Sequence, residues 1–139
     1  MYLDFLRYFF KANNAHSIHS PFVFEFYNKV FKAKFVFPDF NLIEAERNKL
    51  LANKSTINRL DFGAGTKKNT PENISSLAKT SLKPKKWSQL LFRIIKYYNY
   101  KTIIDLGTSF GVTTAYLAKA NKNVQVYTFE GCPETLRIA

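Results

Sequence analysis

The sequence predicts an α/β protein whose last third forms a strand, turn, helix and strand of an open parallel sheet. Three observations carry that prediction. Thr102–Leu106 is a short, continuously apolar run ending in Asp105-Leu106. A turn follows it, with Gly107 at its start and Gly111 at its end. A second run, Val124–Phe129, is β-branched and aromatic and ends at Glu130. Between them, Gly111–Ala120 offers Val112, Ala115, Tyr116 and Ala118 as the packing positions of a crossover helix, closed by Asn121–Asn123. Such units are almost always right-handed, so the two strands are expected to lie parallel and adjacent. The first is expected to be buried on both faces, as parallel strands are.

The rest of the chain divides into residues 1–83, mainly helical, and 84–139, where the α/β domain starts. The opening YLDFLRYFF reads as a helix docking an aromatic face on the domain. Ser20-Pro21 has the form of a helix start, with Ser20 as cap and Pro21 at the first position, where a missing N–H costs nothing. Phe22, Phe26 and Val30 then fall four apart, as one apolar stripe. Pro38 is expected to end what precedes it. Asp39 is expected to cap a helix reaching Ala52, with Ile43, Arg47 and Leu50 on one face and Glu44, Glu46 and Lys49 in solvent. Thr56–Phe62 reads as a short strand, and Pro71–Thr80 as a helix with Glu72 in its first turn. From Pro84, Trp87, Leu90, Leu91, Ile94, Ile95 and Tyr98 recur three and four apart, marking an amphipathic helix that ends at the Asn99–Lys101 turn.

Composition bounds the function classes. The 139 residues are 46% apolar with 14 Phe and 8 Tyr, enough for a packed core and incompatible with a disordered chain. One cysteine, Cys132, excludes an internal disulfide and suits a reducing compartment. Asp4 and Arg7 interrupt the apolar N-terminus, which has neither a basic leader nor a small-residue cleavage site. No run approaches the roughly 20 apolar residues of a bilayer-spanning helix, so the expectation is a cytoplasmic protein without stable membrane insertion. The net charge of +11 would attract nucleic acid, anionic lipid or an acidic partner. The lysines are spread along the chain, with short clusters only at Lys67-Lys68 and Lys83–Lys86, which favours a solvated basic surface.

The chemistry concentrates at the two strand ends. A strand that feeds a glycine turn and then a helix N-terminus presents backbone N–H groups and a positive dipole end to a ligand. Gly107 permits the sharp turn, and Gly111 lets the helix start close to whatever fills the crevice. The hydroxyls of Thr108 and Ser109 can donate to a carboxylate or a ribose. Glu130 stands roughly 20 residues beyond the turn, where one carboxylate can accept both hydroxyls of a ribose. The G-x-G-x-x-G of a dinucleotide fold and the G-x-x-x-x-G-K-[ST] of a triphosphate loop are both absent. A turn without a phosphate cradle suits an adenosyl ligand lacking a pyrophosphate, with S-adenosyl-L-methionine as the candidate.

Other motifs read as structural. Leu60–Gly65, LDFGAG, is a rival glycine turn, but Asn58 and Arg59 precede it and TKKNTPEN follows, so it reads as a turn or a covering loop. His16 and His19 are three apart, yet Ser20-Pro21 follows and no Asp, Glu or Cys completes a metal set. Cys132 has no histidine near it in sequence to support a nucleophile. Trp87, Tyr97, Tyr98 and Tyr100 are assigned mainly to packing.

Asp105–Ala118, DLGTSFGVTTAYLA, resembles the first motif of class I S-adenosylmethionine-dependent methyltransferases, nearest the catechol and caffeoyl-CoA O-methyltransferase branch. The motif match covers about the last forty residues. The upstream HSPFVFEFYNKVF, LDFGAGT and LKPKKWSQLLFRII look like the N-terminal region of methyltransferase-like proteins. The resemblance implies a Rossmann-like, doubly wound fold. It makes Asp105 the motif acid, Gly107 and Gly111 the motif glycines, Thr108, Ser109 and Phe110 the turn between them, and Glu130 the ribose acid. It also implies a seven-stranded sheet, so the chain is expected to be the N-terminal portion of a methyltransferase, truncated after the second strand and inactive alone. The small-molecule acceptor pocket, any base and any metal ligand would lie beyond Ala139, and no catalytic residue is assigned. An unpaired sheet edge would then favour self-association. The alternative readings are a basic nucleic-acid-binding module and a non-catalytic interaction module whose crevice is blocked by Phe110 or Tyr127.

Overall fold

A computed structural model of the chain describes residues 2–11, 19–34, 37–60 and 69–139. The chain forms two compact units, Met1–Lys34 and Phe35–Ala139. The division expected near Lys83, between the helical region and the start of the α/β domain, lies within the second unit, in the short link between its second and third helices.

In the first unit, α1 is Tyr2–Lys11 and α2 is Pro21–Phe26, which runs on into a wider π turn at Tyr27–Phe31. Ser20 caps α2 as its sequence implies, its Oγ accepting from the Val23 N–H at 3.4 Å. Val30, the last residue of the predicted stripe, is buried, whereas Phe22 is exposed. Leu3, Phe5, Leu6, Tyr8 and Phe10 of α1 are all exposed.

The second unit mixes helix and sheet. Its first helix, α3, spans Pro38–Ala52 with Phe37 at the cap. Pro38 therefore opens this helix, because its fixed φ and absent N–H suit a first position, and Asp39 sits in the first turn instead of capping. Phe40, Ile43 and Arg47 form the buried stripe. β1, Thr56–Leu60, pairs antiparallel with β2, Asn69–Asn73. The helix expected over Pro71–Thr80 thus begins later, as α4, Ile74–Ser81. Pro71 lies opposite Asn58 in a two-stranded ribbon, where a strand can lack one donor. The N–H groups of Ile74 and Ser75 donate to the carbonyls of Ser55 and Asn53 at 2.9 and 2.8 Å, which fixes the helix start.

α5, Lys85–Tyr98, ends at Asn99 in the left-handed conformation, φ 54°. β3 is Thr102–Leu106, α6 is Val112–Lys119, β4 is Gln125–Phe129 and α7 is Pro133–Leu136. β3 and β4 pair in parallel, with Asp105 beside Thr128 and Leu106 beside Phe129, the adjacency the sequence predicts. Beneath them, Phe40, Phe92 and Tyr116 meet with ring centroids 4.9 and 5.0 Å apart, and Ile103, Val124 and Val126 pack onto this core. Burying each of these large apolar side chains contributes about 1.5–3 kcal/mol. A second cluster joins Ile74, Leu77 and Ala78 of α4 to Phe110.

Burial of β3 on both faces is not observed. Burial alternates along both strands, and Ile104, Leu106, Tyr127 and Phe129 remain 68%, 80%, 52% and 59% exposed. Within the second unit the helical core lies under one face, and among the described residues the outward side chains of the other stay more than half exposed. Among the described residues, no helix is long and apolar enough to cross a membrane.

Candidate functional site

The turn between β3 and α6 is held in an unusual backbone path. Gly107, Ser109 and Gly111 all have positive φ, at 98°, 50° and 74°. Glycine adopts this region freely, whereas Ser109 does so at a cost of about 1–3 kcal/mol, so its surroundings must hold it. They do so from three sides. The N–H groups of Gly107 and Thr108 both donate to the Phe129 carbonyl, at 2.8 and 3.1 Å, extending the parallel pairing into the turn. The Ser109 N–H donates to Glu130 Oε2 at 2.7 Å. The Phe110 ring is buried against α4.

Glu130 is therefore at the tip of β4 with its carboxylate on the bend after β3. Its other oxygen, Oε1, accepts from the Cys132 N–H at 2.9 Å. Each carboxylate oxygen keeps further acceptor capacity, since an ionised carboxylate offers about four lone-pair sites. Asp105 faces the helix side, where Thr114 Oγ1 and Thr128 Oγ1 donate to its Oδ2 at 2.7 and 3.2 Å. Thr108 is buried, and its hydroxyl lies 2.6 Å from that of Thr128, so it belongs to the Asp105 network. The Ser109 hydroxyl is 3.0 Å from the Ser81 hydroxyl at the end of α4.

Two cavities flank the turn. The smaller, about 190 Å³, is walled by Arg59 and Leu60 of β1, Ser81, Ser109, Phe110 and Glu130–Cys132. The larger, about 380 Å³, lies between the Leu82–Pro84 link with Trp87 and the segment Asp105–Ser109. Ser81 and Ser109 border both, so their hydroxyl pair stands where the cavities meet. A Cβ added at Gly107 would meet nothing within 4 Å, so the turn is open above it. Gly111 differs: a Cβ there would meet Ala139 at 3.4 Å, and the space beside it is an apolar groove of about 430 Å³ that Glu130 does not line. Phe110 borders the smaller cavity from the core, and Tyr127 lines neither cavity.

Cys132 is buried at the wall of the smaller cavity. Burial pushes its thiol up, but hydrogen bonds with the Thr135 side chain and with the backbone of Leu60, Thr135 and Glu134 outweigh that and leave it below its usual range. Asp61–Gly65 of the rival glycine turn lies outside the described residues, as does His16, while His19 is exposed. Among the described residues, no group of three or more His, Cys, Asp or Glu is placed to hold a metal ion.

The structure thus brings Ser109, Phe110 and Glu130 to one cavity and Asp105, Gly107, Thr108 and Ser109 to the other, with Gly111 at the helix start beyond them. Arg59 also lines the smaller cavity and Ser81 lines both. They reach the turn only through the β1–β2 ribbon and α4, and no local spacing marks them. Thr128 was legible in principle, since parallel pairing puts it beside Asp105. Comparison with family models, curated proteins and solved structures returned no match to this chain.

Proposed function

We propose that the second unit is the cofactor-binding part of a class I S-adenosylmethionine-dependent methyltransferase with a Rossmann-like, doubly wound sheet. The observation that carries this reading is the 2.7 Å hydrogen bond from the Ser109 N–H to Glu130. It puts the acid of the second strand on the glycine turn of the first, at the carboxyl ends of two adjacent parallel strands, where open α/β sheets bind their ligands.

The residues present fit an adenosyl group. The space above Gly107 is open, and the cavity along Asp105–Ser109 lies within the roughly 300–1,000 Å³ of small-molecule sites. The smaller cavity is below that range, and this reading requires the Ser81–Ser109 hydroxyl contact, at 3.0 Å between residues that border both cavities, to open so that one ligand spans them. In this reading Glu130 accepts the ribose hydroxyls, Ser109 supplies a hydroxyl at the junction, and the Asp105–Thr108–Thr128 network keeps the strand ends in register. When bound, S-adenosyl-L-methionine supplies a sulfonium methyl for in-line transfer to an oxygen or nitrogen of a small-molecule acceptor. The protein's part is alignment of the two reactants, from which proximity alone can draw several kcal/mol, up to about 7–11.

Isothermal titration of the full chain with S-adenosyl-L-methionine, S-adenosylhomocysteine and a nicotinamide dinucleotide tests the reading. Both adenosyl ligands are expected to bind and the dinucleotide is not. Glu130→Ala should weaken adenosyl binding by roughly 10- to 100-fold, the worth of charge-assisted hydrogen bonds. Glu130→Gln, which keeps an acceptor for the turn, should weaken it less. A folded wild type with no adenosyl affinity would sink the proposal, and so would unchanged affinity in Glu130→Ala.

A further inference from the structure

We propose that α1 is an interfacial anchor that lays its apolar face reversibly into an anionic lipid surface. Every described residue of this helix is exposed, and among the described residues of the first unit Val30 alone is buried. Leu3, Phe5, Leu6 and Phe10 are between 49% and 83% exposed. At about 100° per residue they occupy one continuous arc of roughly 160°. Asp4, Arg7 and Lys11 gather within about 60° on the opposite side, and Tyr8 stands at the border between the two. A helix sorted in this way, with cations on its polar side and Leu and Phe on the other, has the form that lies along the headgroup boundary of a bilayer.

Charge and apolar area together select the occupant. The first unit carries five Lys and Arg against two Asp and Glu, and the chain as a whole carries +11. A negatively charged surface therefore attracts it at long range, and each cation held near the headgroups strengthens the contact. Arg7 and Lys11 are long enough to lay their stems along the apolar face and reach phosphates at its edge. A nucleic acid would be attracted by the same charge, but it offers nothing to cover the apolar arc. A neutral protein groove would cover the arc and leave the cations without counter-charge. An anionic lipid surface meets both requirements in one contact.

The helix lies on the membrane and does not cross it. Its 10 residues rise about 15 Å, half of the roughly 30 Å hydrocarbon core. One short apolar face with a few cations gives reversible binding, comparable to that of a single myristoyl chain, on the order of 10⁴ M⁻¹. This inference rests on the first unit alone and not on the proposed function.

Cosedimentation of the full chain with vesicles tests it, using phosphatidylcholine alone and phosphatidylcholine with about one quarter phosphatidylglycerol. The wild type should bind the mixed vesicles, and the neutral ones at least about tenfold more weakly. High salt should bring binding to the mixed vesicles down towards the neutral level. Leu6→Gln with Phe10→Gln puts good helix formers at exposed positions and should weaken binding to both kinds of vesicle at least about tenfold. Arg7→Gln with Lys11→Gln should weaken it about 5- to 30-fold for the mixed vesicles, with little change for the neutral ones. Far-ultraviolet circular dichroism of both double variants should match the wild type. They remove different halves of the contact, so if one misfolds the other still decides. A wild type that stays in solution beside mixed vesicles would overturn the proposal and leave a protein groove as the occupant of α1. Equal, salt-insensitive binding to both lipids, or double variants that bind like the wild type, would overturn it as well.

Discussion

Tyr116 shows how a single side chain ties the helical layer together. It is fully buried, and its hydroxyl donates to Glu44 Oε1 at 2.8 Å, joining α6 to α3. Glu44 also accepts from Arg47 Nε at 3.1 and 3.0 Å, and Arg47 Nη1 reaches the Lys83 carbonyl at 2.8 Å. Burial first, and then the hydrogen bond and charge of Glu44, push the Tyr116 phenol up to about 12. An unfolded tyrosine titrates near 10. Folding therefore favours the neutral phenol, and the stability it contributes is complete below about pH 10 and is lost as pH rises through about 12. Tyr116→Phe should cost about 1.5–3 kcal/mol at pH 7, as the loss of a hydrogen bond to a charged acceptor. Urea midpoints measured across the alkaline window should then fall less steeply in the variant than in the wild type. Parallel curves would mean that Tyr116 does not carry this titration.

At the level of elements, the helices α3 and α5 and the β3–α6–β4 unit were readable because each depends on local periodicity or on a local turn. Phase and partnership are what the local pattern leaves open. The spacing predicts for α5 a stripe that includes Trp87, yet Trp87 is exposed, with Lys86 Nζ 5.1 Å from the ring centroid, while Ser88, Phe92 and Ile95 are buried. Apolar residues surround much of that helix, so its sequence alone does not fix which side faces the core. β2 is hidden in the sequence because Pro71 and Glu72 are good first-turn helix residues, and only pairing with β1 overrides them. The candidate site divides the same way: Asp105, Gly107, Gly111 and Glu130 follow from spacing, whereas Arg59 and Ser81 arrive through tertiary contacts. Ser88 itself supports a prediction. Its hydroxyl is completely buried and finds no partner among the described residues. Ser88→Ala removes an unsatisfied polar atom and raises helix propensity, which together should add about 1 kcal/mol. Thermal unfolding should shift upward by roughly 2–8 °C, the response expected of a domain of this size class. A downward shift would mean that the hydroxyl is bonded in solution, for example to a buried water.

For the whole molecule, the two dominant surface properties are the +11 charge and the bare apolar sheet face. The second could not be read from the strands, because TIIDL and QVYTF carry apolar residues on both sides, and whether the outer side is covered depends on elements far away in sequence. The charge could be read directly, and its distribution decides what it does. Lysines spread over many elements make a diffuse positive potential, without the side-chain fork geometry that reads base edges. Such a surface should bind duplex DNA or RNA weakly, in about the 10⁻⁴–10⁻⁶ M range at physiological salt, through phosphate contacts and counterion release alone. Fluorescence anisotropy with labelled duplexes of unrelated sequence should give equal affinities that fall linearly on a log–log plot against salt. Glu130→Ala should leave both affinity and slope nearly unchanged, because the crevice takes no part. The sheet-face variant Leu106→Lys should bind slightly tighter, as an added cation raises the slope by about one counterion. A strong preference for one sequence, or affinity that persists at high salt, would instead place a specific nucleic-acid site on this chain and make the basic-module reading the better account of its function.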